Sequence, residues 1–246
     1  MILFDRQILA MKESGMEETL ADLRKQIDVL DSQLCEVLAA RLALSRKVSA
    51  TKTGGSQVFR PSREAQVLGK LLGDAPVTLK PLIPVVWRAI ISSSIAEQRP
   101  DFTIASSSKM RDTATNFSAG QLLLSNYNEA GEALAALADN KADIVLLSPN
   151  ELLSLASQLG PEKVAVVIAR LPLFMPETGY ENDMPESKWP VEGWIIARPP
   201  FEESVENWGV FYHPNGNRIE VSGLSSYEER VDIHLLGVCT AIYPRQ

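Results

Sequence analysis

The chain has few of the residues that enzymes most often use as nucleophiles, metal ligands or proton carriers. Its 246 residues include two cysteines and two histidines. Cys35 and Cys239 lie far apart without CxxC spacing, so we expect neither a disulfide framework nor a zinc site, and a reducing compartment is the default. His213 and His234 are expected at a strand edge or hairpin rather than in catalysis. These shortages argue against thiol, histidine and zinc chemistry.

Long apolar runs are also missing. No segment approaches the roughly 18–20 apolar residues that a membrane-spanning helix needs. The N-terminal segment is interrupted by Asp5, Arg6, Lys12 and Glu13, which makes it a poor secretory signal. We therefore expect a cytoplasmic protein without membrane contact, in which residues 1–15 are an extension ahead of the folded chain.

An excess of positive charge is absent as well. The net charge is −7, and the charges are distributed unevenly. Residues 16–99 carry 12 basic and 9 acidic residues, whereas residues 100–246 carry 10 basic and 20 acidic residues. The basic excess of the first segment is too small to indicate nucleic-acid binding. The contrast predicts two domains with different surfaces, residues 16–99 and residues 101–246.

The first of these domains shows helical periodicity. Apolar residues recur at spacings of three and four, at Leu20, Leu23, Ile27, Leu30 and Leu34. The pattern runs from Glu17 to about Lys52 and stops at Gly54, which predicts a helix of roughly 35 residues and about 50 Å. Because such a helix is longer than a small domain, it must pack along a partner, either in this chain or in another copy.

Two shorter helices are predicted next. Pro61 suits the first turn of a helix that runs to about Leu72. A third helix spans roughly Leu79 to Gln98 and stops before Pro100. The first domain therefore consists of one long helix and two shorter ones.

After Pro100 the apolar runs become short and typical of buried strands. They alternate with helical stretches at 128–140 and 150–159, which predicts a small parallel or mixed α/β layer. Asn215-Gly216 lies between two alternating runs and predicts a hairpin, and Met175 to Pro190 is expected to be a loop. The predicted fold class is an N-terminal three-helix domain followed by a small C-terminal α/β domain.

Cationic and amide side chains share faces of the predicted helices. Arg41 and Lys52 differ by about 20° around the long helix, and Arg24 projects about 100° away from Arg41. Ser94 and Gln98 are four residues apart on the third helix, on one face. Taken singly, such residues usually belong to a solvated surface. If they face the interior, an anionic group should meet them, because a buried cation without a partner is costly.

Taken together, the motifs resemble the all-helical chorismate mutase family. They are LRKQIDVLD at 23–31, AARLALSRKV at 39–48, Lys52, RPSRE at 60–64 and IISSSIAEQ at 90–98. The resemblance implies that chorismate rearranges to prephenate by a pericyclic shift in aromatic amino-acid biosynthesis, without nucleophile, metal or cofactor. The enzyme holds the substrate compact and stabilises negative charge on its ether oxygen. An intertwined homodimer is also implied.

The resemblance assigns roles to the residues of the long helix and to the end of the third helix. Arg41 would bind a substrate carboxylate through a fork-like contact. Arg24 would reach into the site of the neighbouring protomer. Lys52 and Gln98 would hydrogen-bond the ether oxygen, and the glutamine amide can donate without prior protonation.

The same resemblance gives three further contacts and one departure. Glu64 would accept from the ring hydroxyl, and Arg63 would support a carboxylate or orient Glu64. Ser94 would add a hydroxyl contact. Arg60 stands where some family members have an acidic residue that aids the hydroxyl contact. We favour a structural role for Arg60, pairing with Glu64 or capping a helix, over a part in the site.

The second half distantly resembles a prephenate dehydratase-type lobe, chiefly over residues 131–149. That family relies on a Thr-Arg-Phe motif, and this sequence has no such triplet. We therefore expect residues 101–246 to be a degenerate, non-catalytic domain that stabilises the dimer, binds a small regulator or docks a partner.

Two other functions stay open. An isochorismate–pyruvate lyase shares the helical scaffold and the cationic site, although the match through Glu64 and Gln98 favours the mutase. A non-enzymatic alternative is a helical dimerisation module whose acidic domain binds a ligand or a protein. Identifying the product formed from chorismate distinguishes these functions.

Overall fold

The computed structural model of the chain describes residues 19–51, 58–174, 191–199, 208–223 and 234–242. Three sequence predictions lie outside these residues: the extension at 1–15, Lys52, and the loop at 175–190. The chain divides into two compact units, one that ends at Leu44 and one that begins at Ser45.

The three helices predicted for the first domain are confirmed. Helix α1 spans Leu20–Thr51, α2 spans Pro61–Asp74 and α3 spans Leu82–Gln98. Pro61 is the first residue of α2. A backbone N–H at this position would have no acceptor inside the helix, so the missing N–H of proline costs no hydrogen bond. Helix α3 starts three residues later than predicted, because residues 77–81 form a turn.

Helix α1 carries a stripe of large apolar side chains that are exposed in this chain. They are Leu20, Leu23, Ile27, Val29, Leu30, Leu34, Val37, Leu44 and Val48. Fully burying one such side chain is worth about 1.5–3 kcal/mol. The helix therefore offers a large apolar surface, as the sequence predicted.

The C-terminal region is an α/β region, also as predicted. The described strands form one mixed sheet in the order β2-β1-β3-β5-β4-β8-β6-β7. Their bounds are Thr103–Ser107, Leu123–Tyr127, Ile144–Leu147, Val166–Phe174, Gly193–Ala197, Trp208–His213, Arg218–Gly223 and His234–Ile242 for β1 to β8. Strand β1 pairs in parallel with β2 and β3, and β4 pairs in parallel with β8. The other described neighbours are antiparallel.

Three helices alternate with the first strands. Helix α4 spans Arg111–Ser118, α5 spans Ala130–Ala138 and α6 spans Pro149–Leu155. In both α5 and α6 an acid three residues after the N-cap accepts from the N-cap backbone N–H. At α6 the Ser148 hydroxyl also accepts from the Glu151 backbone N–H, which completes a capping box. These local signals explain why the helices begin at these points.

Two apolar clusters hold the sheet. The first joins α5 and α6 to the sheet and includes the buried Leu137, Leu152 and Trp194. In the second cluster, Phe59 and Ile95 pack with residues of the α/β region. The rings of Phe59 and Phe117 meet edge-on at 5.8 Å. Apolar packing therefore continues across Pro100, where the sequence pattern changes.

The predicted hairpin is confirmed at β6 and β7. These strands pair antiparallel and are connected through a short turn at Pro214–Gly216. Asn217 adopts a left-handed conformation with φ 43°, which asparagine tolerates better than most residues. His213 forms a 3.1 Å contact with Glu220 across this hairpin. Among the described helices, none combines the length and apolar content that crossing a membrane requires.

Candidate active site

The side-chain amide of Gln98, at the end of α3, contacts α1. Its Nε2 atom donates to Ser45 Oγ at 2.8 Å and to the carbonyl oxygen of Ser94 at 3.0 Å. Ser94 is buried, and its hydroxyl donates to the carbonyl oxygen of Ile90 at 2.8 Å. The structure thus brings two predicted site residues, Gln98 and Ser94, together with Ser45.

Both amide N–H donors of Gln98 are engaged. A glutamine amide has only two such donors, and here they face Ser45 Oγ and the Ser94 carbonyl. A substrate oxygen that accepts from this amide must therefore replace one of the two acceptors. The Ser45 hydroxyl is the exchangeable one, because it can rotate, whereas the Ser94 carbonyl belongs to the helix backbone.

An ion pair next to Gln98 also joins the ends of α1 and α3. Arg46 Nε and Nη2 donate to the two carboxylate oxygens of Glu97 at 2.6 and 2.8 Å. The two parallel hydrogen bonds fix the guanidinium and the carboxylate in one relative orientation. The hydrogen bond, together with charge attraction, lowers the pKa of Glu97 and raises the pKa of Arg46. The ion pair and the Gln98–Ser45 bond therefore hold the same two helix ends together.

Glu64, the predicted acceptor for the ring hydroxyl, is buried and paired with Arg88 of α3. The side chains of Glu64 and Arg88 are 4% and 13% exposed. Arg88 Nη1 donates to Glu64 Oε1, and Arg88 Nε donates to Ser92 Oγ at 3.2 Å. The guanidinium also lies 4.3 Å from the ring centroid of Phe117 in α4. These contacts connect α2, α3 and α4.

The Glu64–Arg88 pair is incompletely hydrogen-bonded. Within the described residues, Glu64 Oε2 and Arg88 Nη2 are buried and have no hydrogen-bond partner. Leaving a buried polar group unsatisfied costs about 1–3 kcal/mol, and more for a charged group. Oε2 is thus an acceptor suited to a hydroxyl donor. Because the atom is closed off from solvent, neighbouring side chains must move before a ligand can reach it.

The three arginines predicted for the site, together with Arg60, occupy different environments. Arg24 is exposed on α1, and Arg41 is half-buried, which lowers the pKa of its guanidinium. Arg63 is exposed, and its Nη1 donates to Gln66 Oε1 at 3.5 Å. Arg60 occupies the N-cap position of α2, but its side chain makes no capping hydrogen bond to that described helix. The structural role favoured for Arg60 stays a prediction.

Arg88 is the residue of this region that sequence reasoning missed. It is the lone charge in the apolar segment LIPVVWRAIISSSIA of α3. A lone cation amid apolar residues is itself a signal for a buried anionic partner, because an isolated buried charge is costly. The signal does not say which acid pairs with it, since Glu64 lies 24 residues away in sequence.

Metal chemistry has no candidate ligand cluster in the part of the chain that the structure describes. No group of three or more histidine, cysteine, aspartate or glutamate residues there is arranged to hold an ion. The polar side chains described above supply guanidinium, carboxylate, amide and hydroxyl groups.

Comparison with known proteins gives one family. The model of the chorismate mutase type II family matches residues 23–99. The matched segment contains α2 and α3 and nearly all of α1. No curated protein and no solved structure matches the chain. The family match supports chorismate mutase activity in general for this segment.

Proposed function

We propose that the chain is a chorismate mutase, which converts chorismate to prephenate in aromatic amino-acid biosynthesis. The observation that carries this proposal is the family match over residues 23–99, which includes every residue that the resemblance places at the substrate. The reaction breaks a C–O bond and forms a C–C bond within one molecule. The protein therefore contributes by holding the substrate compact and by stabilising negative charge on the ether oxygen.

Gln98 and Lys52 are proposed to stabilise the ether oxygen. The 2.8 Å bond from Gln98 to Ser45 supports this role for Gln98, because it shows an amide N–H donating to a hydroxyl oxygen that a substrate oxygen can replace. The ether oxygen then replaces Ser45 Oγ as the acceptor. Arg41 binds a substrate carboxylate, and a guanidinium suits that task because its donors match the two carboxylate oxygens.

Glu64 is proposed to accept a hydrogen bond from the ring hydroxyl through Oε2. Its other oxygen is already held by Arg88, which keeps the carboxylate oriented. Arg63 supports a substrate carboxylate, and Ser94 adds a hydroxyl contact. The mutase site in this proposal forms only when the side chains over Glu64 move aside.

A homodimer is proposed to bury the apolar stripe of α1 and to bring Arg24 of one protomer into the site of the other. The stripe supports this, because its side chains are exposed in the single chain. Sedimentation should show a dimer. Leu34→Asp should shift the protein towards monomer, because a charge in an apolar interface is costly. The control Val85→Asp changes an exposed valine of α3 and should leave the dimer intact. A monomeric parent protein contradicts the proposal.

We place the protein in the cytoplasm. Cys35 is a free and exposed thiol, and a reducing compartment keeps such thiols reduced.

Incubating the purified full-length protein with chorismate tests the function. We expect the chorismate absorbance to fall and prephenate to form. A parallel incubation with isochorismate tests the alternative, because release of pyruvate there, without prephenate from chorismate, would identify a lyase. Absence of turnover of both substrates at high protein concentration would leave the non-enzymatic module.

The α/β region is proposed to be non-catalytic, because the sequence has no Thr-Arg-Phe motif. Prephenate should therefore accumulate as the final product of the full-length protein. Formation of phenylpyruvate from prephenate by the purified protein would show that this region is a dehydratase after all.

A further inference from the structure

A cavity of about 680 Å³ lies in the α/β region, at the carboxyl end of β3. Strand β3 ends at Leu147, and Pro149 and Asn150, which follow it, line the cavity. Trp194 of β5 pairs with Leu147 of β3 and with Arg170 of β4. Trp194 and Arg170 both line the cavity. Open α/β sheets generally bind ligands outside the carboxyl ends of their parallel strands. The cavity volume is also within the usual range of small-molecule sites, about 300–1,000 Å³.

Arg170 gives the cavity its main chemical character. The residue is only 4% exposed, beside the buried Trp194 on the neighbouring strand. A guanidinium has five N–H donors in a planar fork, so it can hold a protein partner and still donate to a ligand. The fork matches the geometry of two oxygens on a carboxylate or a phosphate. A buried guanidinium on the wall of a cavity therefore favours an anionic ligand.

The wall of the cavity is mixed, and apolar side chains form about half of its surface. Leu153, Val191, Ile219 and Val221 line it together with Trp194. Apolar walls contribute affinity in proportion to the apolar ligand surface that they remove from water. A ligand that fills the cavity must therefore carry an apolar body as well as its anionic group.

The other charged residues of the wall pair with each other. Glu220 Oε2 lies 3.3 Å from Arg218 Nη2 and 3.1 Å from His213 Nε2. The Arg218 side chain is 63% exposed, so its charge is screened by solvent. Among the described residues that line the cavity, Arg170 is the buried cation, and one guanidinium suits a single anionic group better than a polyanion such as a nucleotide.

We propose that this cavity binds a small organic monocarboxylate with an apolar body. The carboxylate lies on Arg170, and the apolar body packs against Trp194 and the aliphatic wall. This site is separate from the residues proposed for chorismate chemistry, and the proposal does not depend on mutase activity. It makes the α/β region a ligand-binding domain.

Calorimetry on the full-length protein tests the site with four probes. They are 3-phenylpropionate, 4-methylpentanoate and the neutral amide of each. We expect at least one carboxylate to bind, and its amide to bind about tenfold more weakly or worse, because a hydrogen bond to a charged group is worth about 1.5–3 kcal/mol. Failure of both carboxylates to bind, or equal binding of acid and amide, overturns the proposal.

Variants then locate the binding. Leu153→Trp adds a bulky ring to the cavity wall and leaves Arg170 in place, so it should weaken binding. Arg170→Met should do the same, and if that variant fails to fold, Arg170→Lys should bind more weakly because lysine lacks the fork. Arg218→Gln is the matched control and should retain binding. Unchanged binding in Leu153→Trp means that the probe occupies another site, such as the proposed mutase site, and refutes the assignment.

Discussion

Replacing Arg88 by methionine should destabilise the protein strongly. The side chains of Glu64 and Arg88 are 4% and 13% exposed, so the change leaves a carboxylate enclosed without its cation. Breaking a buried pair by removing one partner costs about 3–5 kcal/mol. The contact with the Phe117 ring at 4.3 Å is lost too. One oxygen and one nitrogen of the pair are already unsatisfied, so the pair contributes less than a fully hydrogen-bonded one. We therefore expect a loss of stability at the lower end of that range, about 3 kcal/mol.

Urea unfolding followed by circular dichroism, at one fixed protein concentration, measures this loss. The midpoint should fall while the slope stays the same. In a thermal scan, 3 kcal/mol corresponds to about 6–12 °C for a chain of this size. Arg46→Met is the matched control, because Arg46 and Glu97 form the same type of pair between helices but Arg46 is 59% exposed. Its effect should be much smaller, because exposed pairs contribute little.

A double variant separates the pair from its neighbours. Glu64→Gln combined with Arg88→Met removes both charges, so the enclosed group is neutral and its desolvation costs less. The double variant should be clearly more stable than the sum of the single losses predicts. Equal losses for Arg88→Met and Arg46→Met, or purely additive losses in the double variant, would refute the reasoning from burial.

Three further predictions concern the end of α3. Gln98→Ala should lower kcat about 10²–10³-fold with the fold retained, because it removes a donor to the developing charge; a near-normal kcat removes Gln98 from the mechanism. Ser45→Ala should lower KM about two- to tenfold, since the substrate no longer displaces a hydrogen bond worth about 0.5–1.5 kcal/mol; a higher KM contradicts the exchange. Arg46 lowers the pKa of Glu97, so this pair stabilises the fold above the unfolded glutamate pKa of about 4.3 and loses that contribution as pH falls through the lower folded pKa. NMR titration should show the Glu97 pKa rising in Arg46→Gln.

The helices and strands could be predicted because their signals are local. The apolar repeat of α1, the proline that opens α2 and the Asn-Gly turn between β6 and β7 each act within a few residues. The start of α3 was less accurate, because residues 77–81 form a turn inside a segment whose apolar spacing suits a helix. Such a choice depends on packing against Leu68 and Leu72 of α2, which Ile83 joins in one apolar cluster.

The candidate site was predictable only in part. The spacing of Ser94 and Gln98 on one helix face predicted their proximity, and the structure places them in contact. Glu64 was predicted as a substrate contact, which stays a prediction, but its pairing with Arg88 could not be foreseen. Hydrogen bonds between residues 24 apart depend on how α2 packs on α3, and no local pattern contains that information.

By itself the sequence determined the element types, their order and the chemical groups available for function. Those properties follow from side-chain periodicity and from the geometry of glycine and proline, which act over one or two turns of chain. Only the tertiary structure decided which polar groups meet. It paired Glu64 with Arg88 and Gln98 with Ser45, and it placed Arg170 on the wall of a cavity. The reason is that burial makes each charge and amide depend on partners far away in sequence, and only the packed core determines which partners these are.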